Sequence, residues 1–136
     1  MKILQKLTII YQFTFYRIYR FGLTINSPFR RINRKYNVER SVAIWTAMML
    51  SIINWLNFST LLYFIFNLKE FLYKNKLIDF FILSILIIIN CFYFIRKEKY
   101  LKIAEKFSNG SFMSKLLGSL YLMIIIFISF YCYFKV

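Results

Sequence analysis

From Val42 to Phe66 the chain reads VAIWTAMMLSIINWLNFSTLLYFIF, an apolar run without a single charge. A helix needs about 20 mainly apolar residues to cross the hydrocarbon core of a bilayer, so this run predicts a membrane span. Arg30, Arg31, Arg34, Lys35 and Arg40 stand directly before it, and that flanking charge bears on which side the span starts. Two more apolar runs follow, Leu77 to Ile95 with Asp79 as its one charge and Leu116 to Phe134 with none. Of the 136 residues 60% are hydrophobic and 22% aromatic. A soluble chain with so little polar surface would expose large apolar patches and aggregate, and a bilayer removes that problem. The expected fold is a single all-α membrane domain over 1–136, an N-terminal amphipathic helix plus three transmembrane helices.

Charge then predicts orientation. The net charge is +14, from 19 Lys and Arg against 5 acidic residues. In a soluble protein such an excess points to nucleic acid. Here the basic residues lie between apolar runs, where topology and anionic lipid headgroups account for them, and no nucleic-acid partner is expected. Nine precede the first span, three lie between the first and second, six between the second and third, and one follows. Alternate segments share a side, so fifteen face four. By the positive-inside rule the N-terminus is expected in the cytoplasm and the C-terminus outside.

Residues 1–25 are apolar without forming a span. Ile3, Leu4, Leu7, Ile10, Tyr11, Phe15, Ile18 and Phe21 fall on one side of a helical wheel, with Lys2, Gln5, Lys6, Gln12, Arg17 and Arg20 opposite. That spacing describes a helix in the interface plane. A cleaved signal peptide is the rival, but Arg17 and Arg20 interrupt its apolar region and no small-residue cleavage site follows. The helix should stop near Gly22. A basic linker over 26–41 comes next, with Ser27 and Pro28 restarting a short helix through Phe29, Ile32 and Tyr36. Asn37 is positioned to cap the first span, 42–66. Spans 77–95 and 116–134 enclose a cytoplasmic segment, 96–110, in which RKEKYLKIAEKF reads as a helical continuation. Ser108-Asn109-Gly110-Ser111 ends it as a turn.

Few groups could carry chemistry. The chain has no His, which removes the commonest general base and metal ligand, and it shows no paired-carboxylate, phosphate-loop or zinc spacing. No cofactor and no metal are expected, and the protein reads as a non-enzyme. Cys91 and Cys132 belong at depths differing by roughly 15–20 Å, too far for one disulfide. Ala43, Ala47 and Ser51 repeat every four residues, a ridge of small side chains where another helix can approach. Asn54 extends that face and Asn57 lies beside it. An amide inside a span needs a partner, as helix–helix glue or, in the sharper reading, as the lining of a path. Asn90 and Ser129 are candidates for a buried polar contact. Asp79 reads as a solvated ion pair with Lys74 and Lys76, Trp55 as a packing residue, and Trp45, Tyr63, Tyr73, Tyr93, Tyr121 and Tyr133 as interfacial anchors. Arg30, Arg31, Arg34, Lys35, Arg40, Arg96, Lys97 and Lys99 form the basic surface expected to meet anionic headgroups.

Through YRIYRFG (Tyr16 to Gly22), ERSVAIW (Glu39 to Trp45), SIINWLN (Ser51 to Asn57) and KYLKIAEKF (Lys99 to Phe107) the chain resembles a loose class of small bacterial three-span inner-membrane proteins. The resemblance implies the architecture; some proteins of this look accompany secreted toxins as immunity proteins. The expected function is binding to another membrane protein, as an accessory or immunity-like subunit in a bacterial inner membrane. One alternative is a homo-oligomeric pore or lysis factor lined by Asn54 and Asn57. Another is an accessory subunit of a respiratory or organellar inner-membrane complex.

Overall fold

The architecture turns on one helix that the others lean against. The structure, a computed structural model, describes residues 2–28, 37–66 and 74–135. These form α1 (Lys2–Ile25), α2 (Val38–Phe66), α3 (Lys76–Ile95), a 3-10 turn (Arg96–Glu98), α4 (Lys99–Ser108) and α5 (Phe112–Lys135), with no strand among them. α2, α3 and α5 are each long and apolar enough to cross a membrane, and they contain the three apolar runs. Arg30, Arg31, Arg34, Lys35, Lys69, Tyr73 and the short helix expected around Ile32 lie outside the described residues.

Two helix starts are set by side chains. Asn37 Oδ1 accepts the Arg40 backbone N–H at 3.0 Å, the N-cap geometry that satisfies an otherwise orphaned donor. Ser111 Oγ does the same for the Ser114 N–H at 3.2 Å, so the turn that ends α4 also opens α5.

α2 is the centre. Within its apolar stretch 44% is buried, against 11% for the helix that begins at Lys76 and 11% for α5. It packs on α1, α3 and α5. Ala43, Ala47 and Ser51 are each 0% exposed, and the reason is local. A row of small side chains lets a neighbouring backbone come close; Ser51 Oγ lies 3.2 Å from the carbonyl oxygen of Leu86 on α3. The ridge is therefore used inside this one chain.

α1 runs alongside α2 in the opposite direction. Gly22 sits against Val42 and Trp45, and eleven residues earlier Tyr11 bonds to Asn54. Helices that meet at both pairs must lie roughly antiparallel, because each segment covers about 16–18 Å of axis. Gly22 does not stop the helix as its type predicts. It is buried in α1, which continues to Ile25, and a Cβ there would sit 2.7 Å from Val42 Cγ1. The glycine is a contact, not a terminus. Thr14, Phe15, Tyr16, Ile18 and Tyr19 are buried too, while Ile3, Leu4, Leu7, Ile10 and Phe21 stay exposed. The apolar face read from the sequence thus divides: Phe15 and Ile18 meet protein, and the first turns are uncovered.

Between α3 and α4 the chain does not continue straight. Lys97 (φ 54°) and Glu98 (φ 51°) both adopt the left-handed conformation, which costs about 1–2 kcal/mol per non-glycine residue. The reversal swings α4 back onto α1. Tyr100, Ile103 and Phe107, spaced three and four apart, pack on α1; Tyr100 meets Tyr19, and Phe107 meets Phe13 and Tyr16. A stacked pair, Phe15 on Phe94 with centroids 3.8 Å apart, fixes α1 to the end of α3.

Candidate functional site

Three clusters carry the polar chemistry of the described residues. The first joins α1, α2 and α3. Tyr11 donates its hydroxyl to Asn90 Oδ1 at 2.5 Å and accepts from Asn54 Nδ2 at 2.8 Å. Asn90 Nδ2 donates to Ser51 Oγ at 2.8 Å. An unpaired amide in hydrocarbon is unfavourable by several kcal/mol, and this network pairs both. Gln12 extends it by donating to the Tyr93 hydroxyl at 3.1 Å. Asn54 and Asn90 act here as links between helices of one chain.

The second cluster lies toward the Phe66 end of α2. Trp55 Nε1 donates to Asp79 Oδ1 at 2.7 Å, and its ring packs on Tyr133 with centroids 5.3 Å apart. Ser129 donates to Asn57 Oδ1 at 3.0 Å. Asp79 is thus an acceptor for an indole, a role its neighbours Lys74 and Lys76 concealed in the sequence. Trp55 thus links α3 and α5 through a hydrogen bond as well as packing. Asn90 and Ser129 both find partners, though in separate clusters.

The third is a cavity of about 640 Å³ between α1, α2 and α5. Arg17, Arg20, Lys115 and Ser119 stand on its polar side, and Trp45, Met49, Ile53, Leu122, Ile126 and Phe130 on its apolar one. Arg17 Nη2 donates to the Lys115 carbonyl at 2.6 Å and to Ser119 Oγ. Its Nε is buried without a partner. Gly118 lies at this crossing, where a Cβ would sit 2.7 Å from the far edge of the Phe13 ring at Cζ and 3.1 Å from Arg17 Nε. Tyr11, Arg17 and Gly118 were not singled out as site residues by the sequence. An isolated glycine inside an apolar helix is the signal that could have found the crossing.

Of the basic surface, Arg40, Arg96 and Lys97 are exposed. Arg96 lies over the Phe92 ring at 4.9 Å, and Lys99 Nζ over Tyr93 at 3.3 Å. Lys99 is held by cation–π attraction, while Arg30, Arg31, Arg34 and Lys35 lie outside the described residues. Cys91 and Cys132 are free, half-buried thiols. No group of His, Cys, Asp and Glu among the described residues has a metal-binding arrangement. No family model, curated protein or solved structure matches the chain.

Proposed function

We propose that this is a non-enzymatic multi-pass membrane protein that works by binding another membrane protein, as an accessory or immunity-like subunit of a bacterial inner membrane. The supporting observation is the open arrangement of its spans. α2 is covered on several sides, whereas α3 and α5 flank it and present ordered apolar stripes outward. On α3 these are Phe81, Ile85, Ile88 and Phe92, and on α5 Leu117, Leu120, Ile124 and Phe127, all exposed. Lipid covers such faces by default; a partner span replaces it where side chains interlock, because packing drives helix association in membranes. The ridge at Ala43, Ala47 and Ser51 is occupied within the chain, which moves the partner-binding surface to these stripes.

The charge asymmetry supports an orientation with Arg40 and the Arg96–Lys115 segment in the cytoplasm and the C-terminus outside. Asn54 and Asn57 spend hydrogen bonds inside the chain, so neither amide favours a pore.

The test is a pull-down from native membranes in mild detergent, read by native mass spectrometry. A second protein at fixed stoichiometry is expected, and Ile88→Ala with Phe127→Ala should release it. Recovery of this chain alone, or a partner that both substitutions leave in place, would overturn the reading.

A further inference from the structure

The cavity between α1, α2 and α5 brings together three cations that no carboxylate among the described residues neutralises. Arg17, Arg20 and Lys115 all border it. Among the described residues none of the three forms an ion pair, and Arg17 spends its hydrogen bonds on a carbonyl and a hydroxyl, both neutral acceptors. Arg17 Nε is buried with nothing to accept from it. Arg17 is half-buried, while Arg20 and Lys115 are exposed where they border the cavity; a buried guanidinium nitrogen without an acceptor is unfavourable, and an anion drawn to the two exposed cations completes the site.

The rest of the cavity says what kind of anion. The rest of its wall is apolar, lined by Trp45, Met49, Ile53, Leu122, Ile126 and Phe130. From Lys115 to Phe130 α5 rises about 22 Å, enough to line the roughly 15 Å of hydrocarbon in one leaflet with the headgroup above it. The volume of about 640 Å³ falls in the ~300–1,000 Å³ range of small-molecule sites. A free inorganic anion would leave the apolar wall unfilled, and a neutral lipid would leave the cations unpaired.

We propose that this cavity is a specific site for one anionic glycerophospholipid. Arg20 and Lys115 bind the headgroup phosphate directly beside Arg17, and one acyl chain lies along α5 between Trp45 and Phe130. Arg17 is forked across α5 at Gly118, so it also fixes the separation of α1 and α5 that the lipid enters. The site is built on faces of α1 and α5 other than the outward stripes offered to a protein partner, and it stands whether or not such a partner exists.

The experiment places the full chain in nanodiscs of phosphatidylcholine with a minority of phosphatidylglycerol of the same acyl chains. Native mass spectrometry after release then counts retained lipid. One retained phosphatidylglycerol per chain is expected, in preference to phosphatidylcholine. Arg20→Gln with Lys115→Gln should lower that preference roughly 30-fold, taking about fivefold for each basic residue beside an anionic headgroup. Neither side chain makes a contact that holds the fold, so this pair is informative even if Arg17→Gln fails to assemble. Equal retention of both lipids would overturn the proposal. So would a preference that the double variant leaves intact, which would move the site elsewhere on the basic surface. Displacement of the lipid by millimolar inorganic phosphate would also overturn it, in favour of a small-anion site.

Discussion

Replacing Tyr11 with Phe tests whether α1 belongs to the bundle. The substitution removes one oxygen and keeps the ring, whose packing on Phe94 (centroids 5.8 Å apart) is unaffected. Two hydrogen bonds go with that oxygen: the donation to Asn90 Oδ1 at 2.5 Å and the acceptance from Asn54 Nδ2 at 2.8 Å. Asn90 retains its bond to Ser51. Side-chain hydrogen bonds between helices in a membrane average about 0.6 kcal/mol and reach about 1.7, so two give about 1–3 kcal/mol. Asn54 adds to the upper part of that range, because its amide is left half-buried without this acceptor. The assay is equilibrium unfolding in mixed micelles by increasing the SDS fraction, followed by circular dichroism. A double-mutant cycle with Asn54→Ala isolates the pair and should return a coupling of about 0.6–1.7 kcal/mol. A Tyr11→Phe transition within about 0.3 kcal/mol of the parent, with no coupling to Asn54, would show that α1 is not docked as described.

Substitutions at four further positions probe the packing and the backbone of the bundle. Gly22→Ala should destabilise by about 1 kcal/mol net: overpacking against Val42 exceeds the ~1 kcal/mol gained in helix propensity, because Val branches at Cβ and cannot swing Cγ1 aside. Gly118→Ala should fall near zero in the same SDS titration, since its nearest neighbour is the far edge of the Phe13 ring. Lys97→Gly should raise stability by about 1 kcal/mol by removing a left-handed side chain, whereas Lys97→Val should lower it. Ala47→Leu, at a site 0% exposed, should destabilise the isolated chain by about 1–3 kcal/mol; a loss seen only in partner binding would mean the ridge faces outward.

The three long helices were legible because length and lack of charge specify a span without reference to any neighbour. The Asn37 cap and the turn over Ser108–Ser111 were legible for the same local reason. The burial of Ala43, Ala47 and Ser51 followed from side-chain size. Which amide meets which was not legible. In water an apolar stripe marks the core, but in a bilayer lipid and protein are equally apolar, so periodicity cannot say which face of α3 turns inward. Asn90 could therefore be named as a polar contact without its partners, Ser51 and Tyr11, being identifiable. The reversal at Lys97 and Glu98 left no trace, since neither residue is a turn former and the strain is offset by aromatic packing of α4 on α1. Gly22 misled because glycine at a helix end and glycine at a helix crossing are the same letter.

The position of α1 has the widest consequence. Read from the sequence alone it lies flat at the cytoplasmic surface, with Lys2 level with Gly22. The contacts align it with α2 instead: Gly22 beside Val42 and Tyr11 bonded to Asn54, the latter about 24 Å along α2 from Val38. Carried on as a straight helix, α1 is about 36 Å long, against about 30 Å of hydrocarbon. On that alignment Lys2 and Lys6 are expected to reach toward the interface opposite Gly22, their long stems bridging the remaining distance. The charge balance tolerates this. Moving those two lysines changes the partition from fifteen against four to thirteen against six, with the same sign, so the rule that orients the three spans does not hold α1 flat. The expected result, in spheroplasts, is that Lys6→Cys in a background with Cys91 and Cys132 replaced by Ser is modified by a membrane-impermeant maleimide, as a cysteine at Lys135 is, while Arg40→Cys is protected until the membrane is opened. Protection of Lys6→Cys together with Arg40→Cys would return α1 to the surface and dissolve the Tyr11 network with it.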